Sequence, residues 1–214
     1  MPRRPKPPPA TLVLFVRHGV TATTGKVLPG RARGLQLADA GRAQAEAVAE
    51  RLAGLKKVAA VYTSPLERTR ETAAPIGARL GVKVTAERGL LECDFGEWTG
   101  EELKVLFKRP EWATVQRYPS GFRFPSGESF REMSTRVTDT VARLRARHPG
   151  ETIVAVSHAD PIKAAVADAA GTPLDLFQRI VISPCSVSAI AYTDGGPIVL
   201  TVNSMGDLAE LKAS

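Results

Sequence analysis

Thr11-Leu12-Val13-Leu14-Phe15-Val16, followed at once by Arg17-His18-Gly19, decides how the rest of the chain reads. A short, mainly apolar run, half of it β-branched and with no polar alternation, describes a strand covered on both faces. It is too short for a signal peptide's apolar region or a membrane span. The strand ends in a guanidinium, an imidazole and a glycine, and a similar change of chemistry occurs twice more. Lys57 to Tyr62 is strand-like and runs into Thr63-Ser64-Pro65, with Arg68 and Arg70 soon after. Thr152 to Val156 is fully apolar and runs into Ser157-His158. Two of the three histidines in the chain therefore stand at equivalent strand ends. In an open parallel sheet, ligands bind beyond the carboxyl ends of the strands.

Between these strands lie helical patterns: Asp39 to Leu55, Ser64-Pro65 as N-cap and first residue of a helix toward Leu80, Glu128 to His148, and a helix from Asp160-Pro161. Val82 to Ala86 reads as another short strand, and further strands are expected near Ile180, Val187 to Tyr192 and Ile198 to Val202. The alternation predicts an α/β fold with three layers, helix–sheet–helix, around a mostly parallel sheet. Glu87 to Gly127 breaks into aromatics, glycines and prolines, with a short helix from Gly100 to Phe107. It is too long for a plain connection and is read as an insertion or lid. The expected organisation is one domain, residues 11–214, behind a basic, proline-rich, disordered tail at 1–10.

With 214 residues, 43% hydrophobic and 24% charged, the chain is of ordinary globular composition and large enough for one core. No stretch is long and apolar enough for an export signal or a membrane span, so a cytoplasmic location is expected, with Cys93 and Cys185 reduced. The net charge of +7 is partly the tail's Arg3, Arg4 and Lys6. No basic stripe interleaved with aromatics accompanies it, so nucleic acid is not an expected partner and the charge suits attraction of small anions. A monomer and a dimer are equally compatible with the sequence.

The residues at the strand ends suit phosphoryl transfer. A neutral imidazole can attack phosphorus and divide one displacement into two. Guanidinium groups pair with phosphate oxygens, and helix N-termini add N–H donors. A leaving oxygen needs a proton, and Glu92, Asp94 and Glu97 stand in the irregular segment as candidate acids. Histidines spaced this far apart lack the i, i+4 pattern of a helical zinc site, so neither a metal nor another cofactor is expected.

These motifs resemble the histidine phosphatase superfamily, also called phosphoglycerate-mutase-like. Arg17-His18-Gly19 matches its R-H-G triplet, and Leu35 to Ala45 looks like its helix-leading segment. Thr63-Ser64-Pro65-Leu66-Glu67-Arg68-Thr69 is similar to S-P-L-x-R-T, Glu92 to Gly100 to E-x-x-x-G-x-W-x-G, and Ser157-His158 to the fourth-strand motif. The order of the motifs spans nearly the whole chain after the tail. The resemblance implies a phosphoglycerate-mutase-like fold, with His18 phosphorylated, Arg17, Arg68 and His158 holding phosphate, and Glu92 donating the proton. Ala159 stands where glycine is common, its N–H available to phosphate. Val20 and Thr24 replace the family's acid and asparagine, with Thr24 able to offer a single hydrogen bond.

The chain looks most like actinobacterial members labelled phosphomutases or acid phosphatases. The expected activity is a phosphomonoesterase acting on a small phosphorylated metabolite and releasing inorganic phosphate; the alternative is a phosphomutase using the same site. Arg70 is read as a solvated charge, His148 as solvent-facing, Cys93 as a buried bystander, and Phe95, Trp98 and Phe107 as packing residues. Pro125 to Ser129 is read as a turn and helix cap. Val27 to Leu37, with Glu87 to Gly127, is expected to form the substrate rim.

Overall fold

The computed structural model describes residues 9–55 and 57–208. The expected disordered tail therefore falls mostly outside the described residues; Ala10, its last residue, already packs against the core. In chain order the elements are β1 (Thr11–Arg17), α1 (Asp39–Ala53), β2 (Ala60–Thr63), α2 (Glu67–Leu80), β3 (Val84–Ala86), α3 (Leu103–Leu106), α4 (Trp112–Arg117), α5 (Phe130–Arg147), β4 (Thr152–Ser157), α6 (Ala159–Ala169), β5 (Val187–Thr193) and β6 (Gly196–Ser204). They build a single sheet in the order β3-β2-β4-β1-β5-β6. The first four strands in that order are parallel to their neighbours, whereas β5 runs antiparallel to β1, and β6 to β5.

Successive side chains of a strand point to opposite faces, and β1 supplies both cores. Val13 and Phe15 enter one cluster with Met133, Val137 and Val141 of α5 and Ile162 of α6. Leu12, Leu14 and Val16 enter the other with Val48 and Leu52 of α1 and Ala73 and Ile76 of α2. This is why β1 and β4 carry no polar alternation: neither face meets water. The result is the expected three-layer arrangement. A truncation such as Leu14→Ala in this core costs about 2–5 kcal/mol.

Local chemistry fixes the helix ends. Ser129 and Glu132 form a reciprocal capping box that opens α5, so Pro125 to Ser129 is indeed a turn and cap. Gly81, at φ 65°, closes α2 in the left-handed conformation that glycine adopts at little cost. Two expectations need correcting. The second helix starts at Glu67 instead of Ser64-Pro65, because the Ser64 hydroxyl is engaged with His158 and does not cap the helix. No strand forms at Ile180, where a 3-10 turn over Leu174–Arg179 ends and the chain crosses toward β5. The 87–127 segment contains α3, α4 and three short 3-10 turns, and its Phe95, Trp98, Phe122 and Phe124 rings pack edge-on or tilted. No helix among the described residues is long and apolar enough to cross a membrane.

Candidate active site

The strand order puts β2, β4 and β1 side by side, so their carboxyl ends meet at one edge. Arg17 is registered opposite Ser157, and Thr63 opposite Val156. Past the strand ends the ladder continues, His18 N donating to Ser157 O at 3.0 Å and Ser64 N to Val156 O at 2.9 Å. Segment 87–92 is fastened to the same edge, with Glu87 N donating to Thr63 O at 2.8 Å and Ser157 Oγ to Leu90 O at 2.7 Å. Parallel pairing thus brings together residues remote in sequence.

Gly19 is required by packing. A Cβ there would lie 2.5 Å from the carbonyl oxygen of Gly41, and one on Gly41 would lie 2.1 Å from that of Val20. The two glycines let α1 press against the chain immediately after His18.

The His18 and His158 rings are edge-to-face with centroids 5.3 Å apart. His18 Nδ1 lies 2.7 Å from the carbonyl oxygen of Gly19, so it carries the proton and leaves Nε2 with a free lone pair. Burial, reinforced by Arg68 and Arg17, lowers the His18 pKa to about 3, which keeps the ring neutral. His158 is fully buried, and burial chiefly, with Arg68, also depresses its pKa. Its Nε2 pairs with Ser64 Oγ at 2.9 Å, while Nδ1 is buried without a hydrogen-bond partner. When the Ser64 hydroxyl donates to Nε2, the proton resides on Nδ1 and is free to be donated.

Both arginines keep unused donors. Arg17 Nη1 donates to Ile182 O at 2.6 Å and Arg68 Nη2 to Gly30 O at 2.8 Å. Arg17 Nε, Arg68 Nε and Arg68 Nη1 are buried and unpartnered. Burial lowers both guanidinium pKa values, although neighbouring Glu92 opposes the shift. Such donors need an acceptor, and a tetrahedral oxyanion offers several.

Glu92 is buried and accepts from Cys93 N through Oε1 at 2.9 Å. Burial first, then Asp160, pushes its pKa up to about 7, against the pull of the Cys93 N–H, Arg68 and Arg17. A carboxyl poised there can hold a proton near neutrality and then yield it. Its rivals differ: Asp94 Oδ1 accepts from Gly96 N and Glu97 Oε1 from Ser126 Oγ, and neither borders the cavity at this edge.

That cavity has a volume of about 650 Å³, and Arg17, His18, Thr24, Glu92 and Ala159 border it. Arg68 and His158 are fully buried next to it, the His158 ring edge-to-face with His18 and Arg68 close enough to lower the His18 pKa. Thr24 reaches the wall, but its hydroxyl already accepts from Thr21 N at 2.8 Å and pairs with Thr21 Oγ1 at 3.0 Å. Ala159 opens α6, so its N–H belongs to the first turn.

Arg70 is exposed, as expected. Cys93 is a buried free thiol whose pKa burial raises, consistent with an inert bystander. His148 is not solvent-facing: its Nε2 pairs with Tyr62 Oη and its Nδ1 with Glu151 Oε2, each at 2.9 Å. Phe95 and Trp98 are buried as packing residues, whereas Phe107 is 57% exposed at the cavity. Sequence reasoning missed Asp160, which tunes Glu92, and Lys163 and Gln178 on the cavity wall. The helix-opening Asp160-Pro161 is visible as a start signal, but nothing local ties it to Glu92. Among the described residues, no group of three or more His, Cys, Asp or Glu is arranged to hold a metal ion.

The histidine phosphatase superfamily (branch 1) model matches residues 13–205. A bifunctional protein of Mycobacterium tuberculosis is 32% identical over 206 residues, covering 92% of this chain and 55% of its own length. The chain thus spans about half the length of that relative. Phosphoserine phosphatase 1 of Hydrogenobacter thermophilus is 31% identical over 186 residues, covering 85% of this chain and 88% of that one. The solved structure of Bacillus stearothermophilus YhfR superposes with a TM-score of 0.83 at 27% identity, covering 93% of this chain and 98% of the other. With the motifs converging at one sheet edge and the family match running through almost the whole chain, this protein belongs to the histidine phosphatase superfamily.

Proposed function

We propose that the chain is a phosphomonoesterase working through a phosphohistidine at His18. The observation that carries the reading is the pinned ring: Nδ1 bound to Gly19 O, the imidazole neutral, and Nε2 unprotonated beside two guanidiniums with buried, spare N–H groups.

In the first step Nε2 forms a bond to phosphorus as the ester P–O bond breaks, and the Glu92 carboxyl gives its proton to the departing oxygen, releasing an alcohol. Arg17, Arg68 and the His158 Nδ1–H bear the charge on the phosphoryl oxygens. The N-terminal N–H of α6 at Ala159 adds a donor, and Thr24 supplies at most one weak contact. In the second step water attacks phosphorus, the Glu92 carboxylate takes its proton, and the N–P bond breaks to release inorganic phosphate and restore neutral His18. Each step conserves atoms and protons without a metal or other cofactor.

The test is phosphate release from p-nitrophenyl phosphate in the presence of EDTA. Wild type should release phosphate and His18→Ala should not. Equal rates in the two proteins sink the reading. Isomerised ester with little free phosphate moves the assignment to a phosphomutase. Mass spectrometry without acid should find the phosphoryl group on His18.

A further inference from the structure

We infer that the leaving group is an uncharged, apolar alcohol, aromatic or alicyclic, and not a small acid such as a phosphorylated hydroxy or amino acid. The inference rests on the phosphatase reading and concerns the part of the cavity beyond the phosphate-binding edge.

The cavity is larger than phosphate plus a three-carbon fragment needs, and its volume of about 650 Å³ lies within the roughly 300–1,000 Å³ of pockets that enclose drug-sized ligands. Its wall includes the apolar side chains of Leu28, Phe107, Trp112, Val115 and Val181. Phe107 is 57% and Val181 66% exposed, and the Phe107 and Trp112 rings lie 5.0 Å apart in a tilted pair. Large apolar side chains left uncovered at the mouth of one cavity favour an apolar occupant, because covering them removes their surface from water.

The charges point the same way. Apart from Arg17, the cation bordering the cavity among the described residues is Lys163. Its Nζ already donates to Asp160 Oδ1 at 3.3 Å and to Gln178 Oε1 at 2.9 Å. A second anionic group on the substrate therefore finds Lys163 already paired and meets the carboxylate of Asp160 beside it. Placing a carboxylate there without a free partner carries a desolvation penalty. A neutral ring avoids that penalty and gains contact with Phe107 and Trp112.

The experiment compares kcat/KM for benzyl phosphate, O-phosphoserine and 3-phosphoglycerate in wild type, Phe107→Ala and Val181→Ser. Both substituted side chains are exposed, so neither change should affect folding, which circular dichroism checks. Wild type should prefer benzyl phosphate, whose leaving group is an alkyl alcohol like those of the other two esters, by at least about tenfold, the order expected from covering one ring in an apolar wall. Each variant should lower that preference several-fold. Equal or better turnover of either acidic ester by wild type, or a preference unmoved in both variants, overturns the inference while leaving the phosphatase intact. Hydrolysis of none of the three esters by folded protein overturns both, and is distinguished by absent turnover instead of altered preference.

Discussion

Arg31 Nε donates to the main-chain carbonyl of Glu92 at 2.9 Å, so the loop that borders the cavity also holds the candidate acid from behind. The preceding residue, Gly30, accepts from Arg68 Nη2 at 2.8 Å. One dipeptide therefore fixes the spacing between the Arg68 guanidinium and Glu92. Arg136 Nη2 reaches the same Glu92 carbonyl at 3.3 Å, and Glu128 joins the two arginines through contacts of 2.8 and 2.9 Å. Arg31 and Arg136 thus both hold the main chain of Glu92.

Arg31→Ala should lower kcat for p-nitrophenyl phosphate by about tenfold, since loss of orientation raises the barrier more than it weakens binding. Arg31→Lys, which cannot reproduce the Nε contact together with the Glu128 pair, should recover only part of the loss. Steady-state kinetics checks this: a rise in KM with kcat unchanged means that the contact serves binding and not the acid.

The pH profile follows from two groups shifted in opposite directions. His18, lowered to about 3, stays neutral and nucleophilic down to strongly acidic solution. Glu92, raised to about 7, remains a proton donor until neutrality. The profile of kcat/KM, which reports the free enzyme, should be broad on the acid side and fall as pH rises through about 7. Asp160→Asn removes a carboxylate that raises the Glu92 pKa and should move the alkaline limb to lower pH. An unmoved limb means that Glu92 is not the group that titrates.

Stability should respond to the same shift with a definite sign. Between its ordinary value of 4.5 and about 7, Glu92 holds a proton in the folded protein that the unfolded chain has released. Its contribution is therefore fully present below 4.5 and is lost as pH rises through about 7. Glu92→Gln keeps an acceptor for Cys93 N but has no charge to bury, so its Tm should exceed that of wild type by a few degrees above neutrality. Below 4.5 the two should nearly coincide. Thermal melts at both pH values decide it; a variant less stable than wild type at high pH contradicts the assigned shift.

The convergence of the site was legible because its residues are attached to strand ends, and parallel neighbours in one sheet bring those ends together. Arg17, His18 and His158 needed only the strand pattern and the order of the sheet, whereas Ser64 was read as a helix cap and instead pairs with His158. Arg31, Arg136 and Asp160 were not legible in these roles. They act on Glu92 from separate segments, and their effect depends on hydrogen bonds and charge across the fold that no local periodicity records. His148 illustrates the same limit: a basic helix end implies solvent, yet Tyr62 and Glu151 occupy both ring nitrogens.

Gly19 carries a structural prediction of its own. Because a methyl group added there would sit 2.5 Å from the main-chain carbonyl oxygen of Gly41, Gly19→Ala must separate α1 from the end of β1. The cost should be about 1–3 kcal/mol, as for overpacking elsewhere. Urea unfolding measures it, and an unchanged midpoint means that the helix yields without loss.

Arg68 separates a ligand-binding role from a structural one. It is fully buried, yet two of its three nitrogens have no hydrogen-bond partner. A half-satisfied buried cation destabilises the free protein, and an anion that completes its hydrogen bonds offsets that cost. Inorganic phosphate should therefore raise the Tm of wild type, by about 2.7 kcal/mol of stability at a hundredfold excess over Kd. Arg68→Met removes the charge and retains much of the volume, so it should lose at least about 30-fold in phosphate affinity. Without phosphate its Tm should equal or exceed that of wild type. If Arg68 were instead a structural brace through Gly30, the substitution would lower the ligand-free Tm and leave the phosphate-dependent rise in place.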